Sequence, residues 1–232
     1  MAPAQSGRDL FLRGMQDLGV DVSRETLDQL EALVETLIRW QKAINLVGRA
    51  TIEDVWSRHL LDSAQIAPLI PAEAKSLADL GSGGGFPGLV LAALRQDLDT
   101  TLIEADARKA AFLGEAGRRM ALGKPPRVVI ARIEEAPPAK ADVVTARALA
   151  PLSQLLVWAD RHRADTAICL FHKGKGWQAE LTEATKDWDI ACQPLASITD
   201  SDAVILRIGS YTATGVRDRQ PEGRRRQDHD GD

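Results

Sequence analysis

The chain has 232 residues, enough for one sizeable hydrophobic core with an appendage. Its formal net charge of −4 offers no global attraction to nucleic acid, so any such partner must meet a local basic patch. No segment approaches the roughly 20 apolar residues of a membrane span, and Met1 to Leu10 lacks the apolar run of a secretory signal, which excludes a spanning protein and predicts a cytoplasmic location.

The first 71 residues read as a helical extension. Arg24 to Trp40 carries Leu27, Leu30, Val34, Leu37 and Trp40 at three- and four-residue spacing, one apolar face of a helix, with Ser23 placed to cap it. Gln41 to Arg49 lacks that period and reads as a connection. A second helix is expected over Thr51 to Ile66, before Pro68 and Pro71 break the chain.

Residues 72 to 211 change rhythm to short apolar runs alternating with helical stretches. Strands are expected at Leu77–Leu80, Thr101–Glu104, Val128–Ile130, Val143–Thr145 and Ala167–Phe171. Helices are expected at Leu89–Arg95, Ala107–Met120, Pro151–His162, with proline in its first turn, and Glu180–Lys186. Such alternation implies an α/β fold with a mostly parallel sheet covered on both faces. Trp188–Gln193 and Ala203–Ile208 follow each other directly, which predicts an antiparallel hairpin at the sheet edge. Cys169 and Cys192 sit in apolar runs without metal spacing and are expected as buried, reduced thiols. Residues 212 to 232 lack periodicity and read as a disordered tail; the alternative is that Arg224, Arg225 and Arg226 touch RNA phosphates.

The chemistry concentrates after the first strand. In Asp79-Leu80-Gly81-Ser82-Gly83-Gly84-Gly85-Phe86-Pro87-Gly88, four glycines fall within positions 81 to 85, and the second strand ends in Glu104. A glycine loop ending one strand and a carboxylate ending the next can hold a nucleoside between them, with ribose hydroxyls on the acid. Phe86 and Pro87 crowd the place of a pyrophosphate, and no Gly-Lys-Ser or Gly-Lys-Thr follows to make a P-loop. S-adenosylmethionine fits, its methionine part over Gly81, Gly83 and Gly85 and its ribose near Glu104. Asp79 is placed to take the ammonium group directly or through water. The alternative is a purely structural glycine turn with Asp79 and Glu104 as solvated strand ends.

Several further motifs stand in order along the chain: Arg39-Trp40-x-x-x-x-Asn45-Leu46, Arg58-His59-Leu60-Leu61-Asp62-Ser63, Arg132-Ile133-Glu134, Arg147-Ala148 and Lys173-Gly174. With the glycine loop they make the chain resemble the RsmG (GidB) family of bacterial 16S ribosomal RNA methyltransferases. The resemblance implies a class I S-adenosylmethionine-dependent methyltransferase fold with a helical N-terminal extension. It also implies methyl transfer to N7 of one guanine in the decoding region of 16S ribosomal RNA, within the small subunit or an assembly intermediate, by a monomeric enzyme. Carried over by position, cofactor contacts fall on Gly81, Phe86, Ile133, Glu134 and Arg147, with Glu104 on the ribose side.

Guanine N7 has an in-plane lone pair, so its methylation needs alignment and no general base. Arg147, at the end of the fourth strand, is the leading catalytic candidate, its fork bridging cofactor and guanine O6 or RNA phosphate. Its alternative is an ordinary ion pair with Asp142 or another carboxylate. Lys173 is the second candidate; with Lys175 it lies in a glycine-flanked loop suited to RNA phosphates. Asn45, Arg58 and His59 are candidate RNA contacts, His59 equally a packed histidine joining the helices to the sheet. No residue set has metal spacing. Arg108, Lys109, Arg118, Arg119, Lys124 and Arg127 form either an RNA-facing stripe or a solvated face. A methyltransferase of small molecules or proteins, and a non-enzymatic RNA-binding or assembly protein, remain as alternative functions.

Overall fold

The computed structural model describes residues 3–214, so residues 215–232 of the tail expected from 212 onward lie outside the described residues. The chain begins with helices α1 (Pro3–Asp17) and α2 (Arg24–Gln41). Ser23 caps α2, its Oγ accepting from the Thr26 N–H at 3.0 Å. At the other end of α2, Arg39 and Trp40 both donate to Glu115 on α5 (Ala107–Arg119), fastening the helical part across the sheet's helices.

The expected helix over Thr51–Ile66 is broken up. A 3₁₀ turn at Arg49–Thr51 precedes a π-helical turn at Trp56–Leu61, which runs into the short α3 (Asp62–Ala64). Single π-helical turns are rare and recur at functional sites. Here the carbonyls of Arg58 and His59 accept from Arg147, at 3.2 and 3.4 Å.

The strands are β1 (Ser76–Leu80), β2 (Asp99–Glu104), β3 (Arg127–Ile130), β4 (Ala141–Arg147), β5 (Arg163–Lys173), β6 (Trp188–Ala196) and β7 (Val204–Ala213). They form a seven-stranded sheet in the order β3-β2-β1-β4-β5-β7-β6. Strands β1 to β5 are parallel, while β7 runs antiparallel between β5 and the edge strand β6. The last strand therefore extends to Ala213, past the boundary expected at 211. Between β1 and β4 the strand order reverses, and the register sets Leu80 beside Ala146. The glycine loop and Arg147 thus leave the sheet side by side, at the crevice where open parallel sheets bind ligands.

Burial on both faces explains the continuous apolar strands. Along β5, Ile168 and Leu170 join one buried cluster, and Cys169 and Phe171 another. Cys169 is fully buried and its thiol is pushed up to about 12 by desolvation, whereas Cys192, on the edge strand, is only partly buried. Helices α4 (Gly88–Leu94), α6 (Leu152–His162) and α7 (Trp177–Ala184) complete the layers. Pro151 stands just before α6 rather than within its first turn, and the Leu152 N–H is satisfied by Glu180 of α7 at 2.9 Å. Among the described residues no helix is long and apolar enough to cross a membrane.

One core crosses residue 71. Phe11, Leu30, Trp56 and Leu61 share a buried cluster with Leu89, Leu102 and Phe112, and Phe11 meets Trp56 edge-on at 5.6 Å. The helical part and the sheet should therefore unfold together. Phe11→Ala should lower stability by roughly 3–5 kcal/mol, measured by urea unfolding. Circular dichroism and tryptophan fluorescence should give coincident transitions; an earlier helical transition would mark the first 71 residues as independent.

Candidate active site

The loop Gly81–Gly88 leaves β1 and enters α4. Gly81 has φ +65° and a Cβ there would stand 2.5 Å from Leu149 Cδ1, so both conformation and close approach require glycine. The Gly83 N–H donates to Glu104 Oε2 at 2.8 Å, and the Asp106 N–H donates to Oε1 at 2.8 Å. Glu104 is thus a fixed carboxylate with one lone pair still available on each oxygen.

Asp79 does not reach the ligand space. It is fully buried below the loop, where Thr145 donates to Oδ1 at 2.8 Å and the Gly88 N–H to Oδ2 at 3.3 Å. Burial pushes its carboxyl up to about 6. A residue that closes the loop from beneath replaces the ammonium contact expected from sequence, because the side chains of a strand alternate and Asp79 falls on the α4 side.

Above the loop lies a cleft of about 520 Å³, within the range of small-ligand sites. Gly81–Gly84, Phe86, Glu104, Ile133, Glu134 and Arg147 all line it; Gly85 lies behind the lining. Leu149, Trp158 and Leu46–Gly48 also line it, and sequence reasoning missed them. The last three are held by Gln41, whose Oε1 accepts from the N–H groups of Leu46 and Val47 at 2.9 and 3.1 Å. Trp158 looked like an ordinary helix face. A glycine cradle, an acid with spare acceptors and apolar walls suit an uncharged purine nucleoside on a small zwitterion.

Arg147 forms one wall. Its guanidinium is largely buried and pairs with Asp62 at 3.1 Å; the partner is not Asp142, which binds the backbone of Lys75 and Ser76 at the opposite end of β4. Nη1 also approaches Ser63 Oγ at 3.3 Å, and Nη2 donates to His59 Nδ1 at 2.6 Å. The terminal nitrogens are therefore engaged within the protein, and the fork expected for guanine O6 or phosphate is not free. Burial lowers the Arg147 pKa, opposed by Asp62 and Asp79.

His59 is the packed histidine of the two readings. It stacks on Phe86 with centroids 5.1 Å apart and planes at 26°. With Nδ1 accepting from Arg147, Nε2 carries the proton and donates to Thr51 Oγ1 at 2.7 Å; Thr51 in turn donates to the Gly48 carbonyl at 2.8 Å. Burial, reinforced by Arg147, pulls its pKa down to about 4. Ala148 follows Arg147 in the left-handed region at φ +49°, a strained position for alanine, and turns the chain so that Leu149 covers Gly81.

On the far side of this wall is a second cavity of about 480 Å³. His59, Arg147, Ala148 and Leu149 line both spaces. Arg58, Asp62, His172, Lys173 and Glu180 line the second alone. Lys173 is buried, donating to the Ala150 carbonyl at 2.6 Å and to Glu180 at 2.7 Å; it is not the loose phosphate-seeking lysine its glycine neighbours suggest. Lys175 is exposed beside it.

Other expected contacts lie apart. Asn45 lines a separate groove of about 290 Å³ with Lys42, Arg49 and Arg108, joined to the cleft only through Lys109. The basic stripe is divided: Arg108 and Lys109 start α5, Arg118 and Arg119 end it, and Arg119 and Lys124 pair with Glu35 and Asp99. Among the described residues no group of three metal-ligating side chains comes together.

Residues 26–204 match the family model GidB, described as rRNA small subunit methyltransferase G. A protein of Paramagnetospirillum magneticum named ribosomal RNA small subunit methyltransferase G is 50% identical over 187 residues, covering 81% of this chain and 90% of its own. One of the same name from Gluconobacter oxydans is 47% identical over 190 residues, covering 82% and 96%. Among solved structures, a SAM dependent methyltransferase from Aquifex aeolicus shares the fold at 10% identity, with a TM-score of 0.52 over 75% of this chain and 97% of that one.

His59 and Asp79 should pull stability in opposite directions with pH. The unfolded chain protonates His59 below about 6.5 and the folded chain only near 4, so its contribution is present above 6.5 and lost as pH falls. Asp79, raised to about 6 from 3.8, contributes below 3.8 and loses that contribution as pH rises through 6. His59→Gln should therefore be more destabilising at pH 7 than at pH 4.5, by roughly 2 kcal/mol. Chemical denaturation at the two pH values measures the difference; equal penalties would show that His59 titrates normally.

Proposed function

The chain belongs to the GidB family, rRNA small subunit methyltransferase G, and from that premise we propose that it methylates N7 of a guanine in 16S ribosomal RNA, with S-adenosylmethionine as donor. The fold is the class I methyltransferase α/β sheet with N-terminal helices. The observation that carries the reading is the pair of cavities meeting at one wall, Arg147–Leu149, at the switch point of the sheet. One is suited to a nucleoside cofactor, the other to a base.

S-adenosylmethionine, when bound, supplies an electrophilic methyl group on a sulfonium. Gly81–Gly84 would offer it an unobstructed backbone, and the spare lone pairs of Glu104 would accept its ribose hydroxyls. Ile133 and Leu149 give the adenine apolar walls. On the second side, the cavity would hold the guanine with N7 toward the shared wall. Holding reactants in line is worth up to roughly 7–11 kcal/mol in favourable intramolecular cases. No proton need leave N7. That suits a site in which both nitrogens of His59 and both oxygens of Asp62 are already bonded. Arg147 acts here as a positioning residue, setting the wall and the His59–Phe86 stack.

Labelled S-adenosylmethionine should transfer its methyl group to small subunits lacking the modification, and mapping should place it on N7 of one guanine. Comparison with protein-free 16S RNA identifies the form of substrate. Label confined to protein or small molecules would overturn the reading. The rate of single-turnover transfer should be flat between about pH 6.5 and 8; a tenfold rise per pH unit would require a general base and another acceptor atom.

Glu104→Ala should weaken S-adenosylmethionine at least tenfold, since charge-assisted hydrogen bonds contribute roughly 1.5–3 kcal/mol each. Titration calorimetry measures this, and unchanged affinity would remove Glu104 from the cofactor site.

A further inference from the structure

We propose that Glu180 reads the Watson–Crick edge of the target guanine in the second cavity, an inference that rests on the guanine-N7 reading above. This carboxylate is held by one of its two oxygens. Its Oε2 accepts both the Leu152 N–H at 2.9 Å and Lys173 Nζ at 2.7 Å. Lys173 is itself fastened to the Ala150 carbonyl at 2.6 Å. Two donors, the Lys173 ammonium at the end of β5 and the Leu152 N–H at the start of α6, thereby fix one oxygen of this α7 side chain. The other, Oε1, has no hydrogen bond among the described residues, and the side chain is 34% exposed at the cavity.

The placement matches the shape of a purine. Residues common to both cavities mark where N7 must approach the methyl donor, and Glu180 is not among them. A guanine whose imidazole edge faces the common wall turns its opposite edge toward residues lining the second cavity alone. That edge carries N1–H and the 2-amino group, two adjacent donors, and a carboxylate is an acceptor only. Adenine offers an acceptor at N1 and no 2-amino group. Enzymes acting on extruded bases read them by hydrogen bonds to this edge. Lys173 balances the charge of Glu180, so the carboxylate can face a polyanionic ligand without an uncompensated negative charge in the cavity. A mere brace between α6 and α7 would use Oε2 and leave base preference untouched.

The test compares small subunits reconstituted with guanine or inosine at the modified position, inosine lacking only the 2-amino group. The wild-type protein should favour guanine at least tenfold in kcat/KM. In Glu180→Gln the amide presents a donor in place of an acceptor; the guanine rate should fall at least tenfold and the guanine-to-inosine ratio should approach one, with S-adenosylmethionine affinity unchanged. Glu180→Asp, which keeps the charge beside Lys173 but shortens its reach, should lower the ratio in the same direction. A wild-type ratio near one overturns the proposal whatever the variants do. An unchanged ratio in a folded variant also overturns it and leaves Glu180 as a brace. Absence of transfer from the wild-type protein to any guanine overturns the ribosomal RNA reading itself.

Discussion

Arg147 is the constraint on which the rest of the site depends. A guanidinium at the carboxyl end of β4 is withdrawn from water, and the turn at 58–63 supplies partners to both of its terminal nitrogens. Removing one partner of a buried pair such as Arg147–Asp62 costs roughly 3–5 kcal/mol, because the other charge is left without compensation. That penalty holds the helical segment against the sheet. It also braces the π-helical turn, since the Arg58 and His59 carbonyls both accept from Arg147. The His59 ring then lies on Phe86, and Phe86 ends the glycine loop. The two cavities and the turn at 58–63 are thus registered by one side chain.

The protonation states follow from the same packing. His59 stays neutral because a cation donates to its Nδ1 and little water reaches it. Asp79 is raised because it is buried below the loop with only hydroxyl and amide donors. Neither group is presented to a reactant as a base. The site is organised around alignment, which is what attack by an existing lone pair requires.

An acidic chain that handles RNA must concentrate its cations. Arg58, Lys109, Arg132 and Lys175 stand near the two openings, on the carboxyl edge of the sheet. Lys173, by contrast, is turned inward onto Glu180. Flanking phosphates would be met at the rims, and the base within. Phosphate contacts of this kind position a nucleic acid without reading it.

The order of strands and helices was legible in the sequence because burial on both faces of a parallel sheet leaves uninterrupted apolar runs, and because Gly81–Gly88 and Glu104 mark two strand ends. The lining of the cleft above the glycine loop was legible for the same reason: its residues are neighbours along the chain of strand ends, so spacing reports position. What the tertiary structure decided was the use of the charged side chains. Asp79 belongs to the fold because the pleat turns it under the loop. Lys173 is paired because α7 carries Glu180 past the end of β5, and Arg147 is committed because the turn at 58–63 arrives beside it from 84 to 89 residues away. A sequence shows which residues carry charge and hydrogen-bonding groups. Which of those groups remain free is set by long-range packing, since each buried donor takes whatever acceptor the fold brings within 3 Å.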